Sequence, residues 1–293
     1  MRFANIRVEG RNYVAVSSGG EIRRLPAEIR GKSVTAIEHL LEMDASEVNA
    51  LVDDVLRSGV TVPSDAFCFR SVVERPHKIL CVGLNYRRHA EETHTPIPTL
   101  PVIFGKFAQT LAACDDEIPL PRRTQCVDYE VELAMVVGRT CHDVDPEHAR
   151  DYVFGYTVAN DISARDLQNA TSQWLIGKSL DRFCPTGPFV VTSDEISNPD
   201  DLSIQLRRNG ILCQNSRTSD MIFSCGQIVA YLSSLWTLEP GDLILTGTPE
   251  GVILGQPESE RRWIADGDCT EATIEGIGTL RNVFVRSLTP GGI

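Results

Sequence analysis

The chain has 293 residues, 42% hydrophobic and 23% charged, which is enough apolar mass for one large domain or a domain with a small companion. Forty Asp and Glu against 28 Lys and Arg leave a net charge of −12 with no basic run, so nucleic acid and anionic membrane surfaces are excluded as natural partners. No apolar stretch reaches bilayer-spanning length, the start lacks a signal-peptide core, and nine scattered cysteines without a C-x-x-C fit reduced thiols, so a soluble cytoplasmic protein is expected.

In chain order, strand signals at Phe3–Val8 and Tyr13–Val16 lead into a helical stretch over Val34–Ser58, with Ser33 as its N-cap. Leu40, Leu41, Val48, Leu51, Val52 and Leu56 recur there at helical spacing, and nothing in residues 1–73 carries chemistry. That segment reads as a small accessory α/β domain, with a second domain over 74–293. From Lys78 onward strands dominate: Lys78–Val82, Val127–Val137, Phe154–Val158, Pro188–Val191, Leu202–Leu206, Asp242–Leu245, Cys269–Ile274 and Leu280–Val285. Two helices stand among them, around Asp145–Arg150 and Met221–Ser234. Strands outnumber helices without alternating with them, which argues for an α+β, β-rich body and against a Rossmann or barrel α/β fold.

The stretch Asp128-Tyr-Glu-Val-Glu-Leu-Ala-Met-Val-Val137 is the most informative. Side chains alternate along a strand, so Asp128, Glu130 and Glu132 share one face, while Tyr129 turns to the core with Val131 and Leu133. Three adjacent carboxylates repel, and either solvent or a hard cation such as Mg²⁺ relieves them. A second acidic cluster, Asn160-Asp161-Ile-Ser-Ala-Arg165-Asp166-Leu-Gln168, follows the apolar strand Phe154–Val158. Asp161 there is either a third carboxylate for the same ion or a turn residue. Arg165 and Gln168 lie three apart and share a helical face that suits a substrate carboxylate.

His89 and Glu92 are also three apart, just after the strand Lys78–Val82. They form either a surface pair or a general base whose tautomer a carboxylate fixes. Lys178, in Gly-Lys-Ser-Leu-Asp181, is either an exposed lysine or a charge placed at a developing oxyanion. Thr248, in Thr246-Gly-Thr-Pro-Glu-Gly-Val252, belongs either to a plain tight turn that needs the same glycine or to one that holds a carboxylate through hydroxyls and backbone N–H groups.

Taken together, N-Y-x-x-H-x-x-E (85–92), D-Y-E-V-E-L (128–133), N-D-x-x-A-R-D-x-Q (160–168), G-K-S-x-D (177–181) and G-D-L-I-L-T-G-T-P-x-G-V (241–252) resemble the fumarylacetoacetate hydrolase family across roughly residues 75–290. The resemblance implies a mixed, rolled-sheet catalytic domain and a homodimer. It implies one Mg²⁺ per subunit, with Mn²⁺ or Ca²⁺ as substitutes, on Glu130, Glu132 and Asp161. It places a water-activating pair on His89 and Glu92 beneath a lid, the family's lysine on Lys178, and substrate contacts on Arg165, Gln168 and Thr248. The activity it implies is hydrolysis of a carbon–carbon bond in a small anionic 2,4-dioxo acid. Isomerisation of a 2-hydroxyhepta-2,4-diene-1,7-dioate-type substrate and oxaloacetate decarboxylation use the same enolate chemistry, and a non-catalytic metal-binding scaffold is the alternative of another class.

Overall fold

A computed structural model of the protein describes residues 1–286. Its backbone is organised by two sheets. The larger has twelve strands, and its main path runs through residues 60–61, 21–24, 11–18, 2–8, 184–192, 153–160, 131–137, 243–245, 79–83 and 102–106. The chain leaving the edge strand Val102–Lys106 soon pairs Leu111 and Ala112 in parallel with Cys184 and Pro185. That return curls the sheet back on itself. The second sheet has five strands in the order 117–119, 278–285, 269–274, 203–208 and 211–217.

The strand Val131–Val137 shows how sequence sets the layers. Val131, Leu133, Met135 and Val137 bury against Ile204, Leu206, Ala272, Ile274 and Phe284 of the smaller sheet. Ala134 and Val136, on the opposite face, join a second apolar cluster with Cys81, Ala159 and Leu245. Period-two alternation therefore feeds two cores from one strand.

Residues of the N-terminal segment enter that second cluster. Arg2 and Phe3 pair with Val191 and Val190, so the hairpin Arg2–Val8/Arg11–Ser18 continues the large sheet. The helix Ala45–Ser58 buries Val48, Val52 and Val55, spaced i, i+4 and i+7, against it. Each buried valine contributes about 1.5 kcal/mol.

Three expected elements differ. The helical stretch expected over Val34–Ser58 is two helices, Ile37–Leu41 and Ala45–Ser58. The break lies at 42–44, where Asp44 takes the extended N-cap conformation, while Ser33 lies in a short strand rather than at a cap. The helix expected around Asp145–Arg150 is a single 3-10 turn, Ala149–Tyr152, because so short a segment with few apolar side chains does not repay helix nucleation. The strand expected over Val127–Val137 is interrupted between Asp128 and Val131. By contrast, the helix expected around Met221–Ser234 is present as Cys225–Leu235, started by a Ser224/Gln227 capping box. No helix among the described residues is long and apolar enough to cross a membrane.

Candidate active site

Four chain segments meet at one end of the large sheet. Register places the start of Val131–Val137 beside the ends of Val153–Asn160 and Leu243–Leu245, and the latter runs parallel to Ile79–Gly83. Glu130 precedes the first of these strands, Asp161 follows the second, Gly247 and Thr248 follow the third, and the helix Arg87–Glu92 follows the fourth. The antiparallel pair is locked around the carboxylates. Asp161 N–H donates to the Glu130 carbonyl at 2.8 Å, and Glu130 N–H donates to Asn160 Oδ1 at 2.9 Å.

Glu130, Glu132 and Asp161 are all buried, and each offers an oxygen within 4.8 Å of the others. Lys178 Nζ bridges two of them, 2.6 Å from Glu130 Oε2 and 2.7 Å from Asp161 Oδ2. Lys106 Nζ lies 2.5 Å from the other oxygen of Asp161, Oδ1. Glu132 Oε2 accepts the Gly247 N–H at 2.7 Å. Gly247 has φ +99, and a β-carbon there would stand 2.8 Å from Asn85 and 2.9 Å from the Val82 carbonyl. Only glycine brings this amide to the carboxylate.

Glu130, Glu132, Asp161 and Lys178 line a cavity of about 250 Å³ together with His89, Arg165, Gln168, Trp174 and Thr248. That is below the usual range for drug-sized ligands, so the space suits a small molecule. His89 is 6% exposed, and its Nδ1 lies 2.9 Å from Glu92 Oε1. Since a carboxylate only accepts, Nδ1 carries the proton, and no described residue engages Nε2.

The fumarylacetoacetate (FAA) hydrolase C-terminal family matches residues 78–285. The chain belongs to this family. Oxaloacetate tautomerase fahd2, mitochondrial, of Xenopus laevis is 44% identical over 216 residues, 73% of this chain and 67% of that protein. The structure of fumarylacetoacetate hydrolase from psychrophilic Exiguobacterium antarcticum superimposes with a TM-score of 0.86 at 33% identity, covering 98% of this chain and 100% of that one. Maleylpyruvate hydrolase from Sphingobium sp. SYK-6, solved in complex with manganese(II) and pyruvate, gives a TM-score of 0.80 at 26% identity, with 98% and 100% covered.

A divalent cation fits the site of this fumarylacetoacetate hydrolase family enzyme on its own chemistry. Asp128, Glu130, Glu132 and Asp161 face Lys106, Lys178 and Arg165, so four carboxylates meet three cations and one negative charge is left over. The shortage falls on Glu132. Burial pushes its carboxyl well above the ordinary value, and the Asp161 and Glu130 charges add to the rise. Glu130 behaves oppositely: burial alone would raise it, but Lys178 and Arg165 outweigh that and hold it at about 2. Burial opposes the charge on Lys178 too, yet Asp161 and Glu130 push its pKa up, so it stays an ammonium. An all-oxygen donor set suits Mg²⁺, Mn²⁺ or Ca²⁺ better than zinc.

The structure brings together eight of the nine residues singled out in the sequence as cavity lining, and Glu92 stands behind His89. Two have partners that the sequence did not suggest. Arg165 Nε and Nη2 each lie 2.9 Å from Asp128 Oδ2, Nη2 also lies 2.7 Å from Glu130 Oε1, and Nη1 donates to Gln168 Oε1 at 2.9 Å. Most of its fork is thus committed to the protein. Gln168, having accepted from Arg165, presents an amide Nε2 with no described partner. The Thr248 hydroxyl donates to the Val131 carbonyl at 3.0 Å and accepts from Gln214 Nε2 at 2.9 Å.

Asp128 does not share the carboxylate face as strand alternation predicts. The interruption at 129–130 turns it away to accept from Arg165 and from the N–H groups of Tyr129, Ile253 and Leu254. Tyr129 is buried in the core as expected, its hydroxyl donating to the Gly251 carbonyl. Lys106 was not singled out in the sequence. It comes from an edge strand on the far side of the curl, and nothing local in Val-Ile-Phe-Gly-Lys marks it.

Proposed function

We propose that this enzyme hydrolyses a carbon–carbon bond in a small 2,4-dioxo acid of the acylpyruvate type, with Mg²⁺ held by Glu130, Glu132 and Asp161. The observation that carries the reading is the buried carboxylate triad opening onto the same small cavity as His89 with its Glu92 partner. A divalent cation bound to the triad supplies Lewis-acid polarisation of the substrate's 2-oxo oxygen. Gln168 Nε2 is free to donate to the substrate carboxylate. His89, its tautomer fixed by Glu92, takes a proton through Nε2 from the water that attacks the C4 carbonyl. Lys178 remains charged next to the forming pyruvate enolate and stabilises it.

The second reading is tautomerisation of oxaloacetate, favoured by the name of the Xenopus laevis relative at 44% identity. It needs the same proton carrier and no attacking water. Oxaloacetate decarboxylation is a third outcome of the same site. A non-catalytic scaffold is disfavoured, because the base, the lysine and all three carboxylates are in place. The homodimer belongs to the proposal as well, supported by exposed apolar side chains at Ile97, Leu100, Phe107 and Ile176, and sedimentation velocity tests it.

Turnover with Mg²⁺ of acetylpyruvate, fumarylpyruvate, oxaloacetate and a hydroxymuconate-type dioate, each against a Glu130→Ala, Glu132→Ala double variant, decides among these. Cleavage of an acylpyruvate that the variant loses is the expected result. Tautomerisation of oxaloacetate alone would replace the first reading with the second.

A further inference from the structure

Two lysines share Asp161, and the cavity separates their roles. Lys178 Nζ sits on Oδ2, lines the cavity and rests 5.2 Å above the Phe104 ring. Lys106 Nζ sits on Oδ1, does not line the cavity, and has a side chain with no solvent exposure. Its remaining contact is the Ile162 carbonyl at 3.5 Å, the next residue along. One ammonium therefore stands where a substrate and ion would enter, and the other is walled off behind the carboxylate.

We infer that Lys106 is a positioning residue that permanently occupies Asp161 Oδ1, so that Asp161 meets a divalent cation through Oδ2 alone. The argument rests on the triad being the cation site. A buried carboxylate left with one unsatisfied oxygen is free to swing, and it also repels Glu130 and Glu132 without compensation. A buried ammonium at hydrogen-bond distance removes both problems and fixes the rotamer. Lys178 cannot take over this duty. It is already shared with Glu130, and its contact with Oδ2 is the one that an incoming ion replaces. Partners that orient a ligating carboxylate in this way are worth about 10–100-fold in metal affinity or activity.

The test is Mn²⁺ binding by calorimetry and by electron paramagnetic resonance of free Mn²⁺, on the wild type, Lys106→Met and Lys106→Gln, with folding checked by thermal unfolding in EDTA. Lys106→Met keeps the length and apolar stem without the donor. Lys106→Gln keeps a neutral donor and is the smaller perturbation should the methionine variant not fold. We expect Mn²⁺ affinity to fall about 10–100-fold in Lys106→Met and by less in Lys106→Gln, with a broadened bound-Mn²⁺ spectrum in both. A folded variant that binds Mn²⁺ within twofold of wild type and with the wild-type spectrum overturns the role of Lys106 alone. A wild type that binds no Mn²⁺ overturns the cation site and this inference together.

Discussion

Glu92 holds His89 and the loop after Thr248 with one carboxylate: Oε1 is 2.9 Å from His89 Nδ1, and both oxygens accept the Gly251 N–H at 3.0–3.1 Å. The helix carrying the proposed base is thereby pinned to the loop that lines the far wall of the cavity. Arg88 adds a second tie between them through Glu250 Oε1 at 3.0 Å. His89→Ala removes the proton acceptor without touching the triad. It should lower kcat by about 10²–10⁴-fold while leaving Mn²⁺ affinity unchanged. Steady-state kinetics beside calorimetric Mn²⁺ titration checks both halves, and wild-type turnover would remove His89 from the mechanism.

Gly177 sets the position of Lys178. A β-carbon at 177 would stand 2.3 Å from the Gln168 backbone nitrogen and 2.6 Å from the Ala164 carbonyl, so the turns Arg165–Gln168 and Leu175–Lys178 touch backbone to backbone. Gly177→Ala must push them apart, at a cost of about 1–3 kcal/mol in stability. Because Lys178 is the next residue, kcat should fall together with the urea midpoint. Loss of stability with undiminished kcat would show that the lysine tolerates the shift.

The carboxylate cluster was legible because Glu130 and Glu132 stand two residues apart at the start of a strand whose other positions are apolar. Asp128 departs from the carboxylate face for a reason of the same kind. Alternation holds only while the strand is regular, and the chain bends out of register between Asp128 and Val131. The two-helix break at 42–44 is not legible in the sequence because the apolar spacing continues across it, and only Asp44 as an N-cap marks the restart. Lys106 was illegible because its meaning comes from the curl of the sheet, which brings an edge strand against Asp161 from a distance of 55 residues. Spacing and turn chemistry marked Arg165 and Thr248, but not the fact that their polar groups are already engaged by Asp128, Glu130, Gln168 and Gln214.

Arg165→Lys tests that engagement. The guanidinium contacts Asp128, Glu130 and Gln168 at once, and an ammonium cannot reproduce a planar fork. If the fork chiefly organises the site, the variant should lose both Mn²⁺ affinity and kcat by about 10-fold or more, since its partners include a proposed ligand. A change confined to KM would instead assign Arg165 to the substrate carboxylate.

Away from the cavity, Asp268 gives a pH-dependent contribution whose sign is fixed by its contacts. Burial would raise its pKa, but hydrogen bonds from Arg208, the Ala265 N–H and Asn209 outweigh that and hold the carboxyl below its ordinary 3.8. A carboxyl depressed by folding stabilises the protein at pH values above its unfolded pKa, and the stabilisation disappears as pH falls through the folded value. Asp268→Asn should therefore cost about 1–2 kcal/mol at pH 7, where charge-assisted bonds are replaced by weaker neutral ones. The difference from wild type should stay constant down to about pH 5 and shrink below about pH 4 as Asp268 itself takes up a proton. Urea unfolding of both proteins from pH 7 to pH 3.5 measures this, and a gap that widens toward low pH would mean that the Asp268 contacts do not stabilise the charged form.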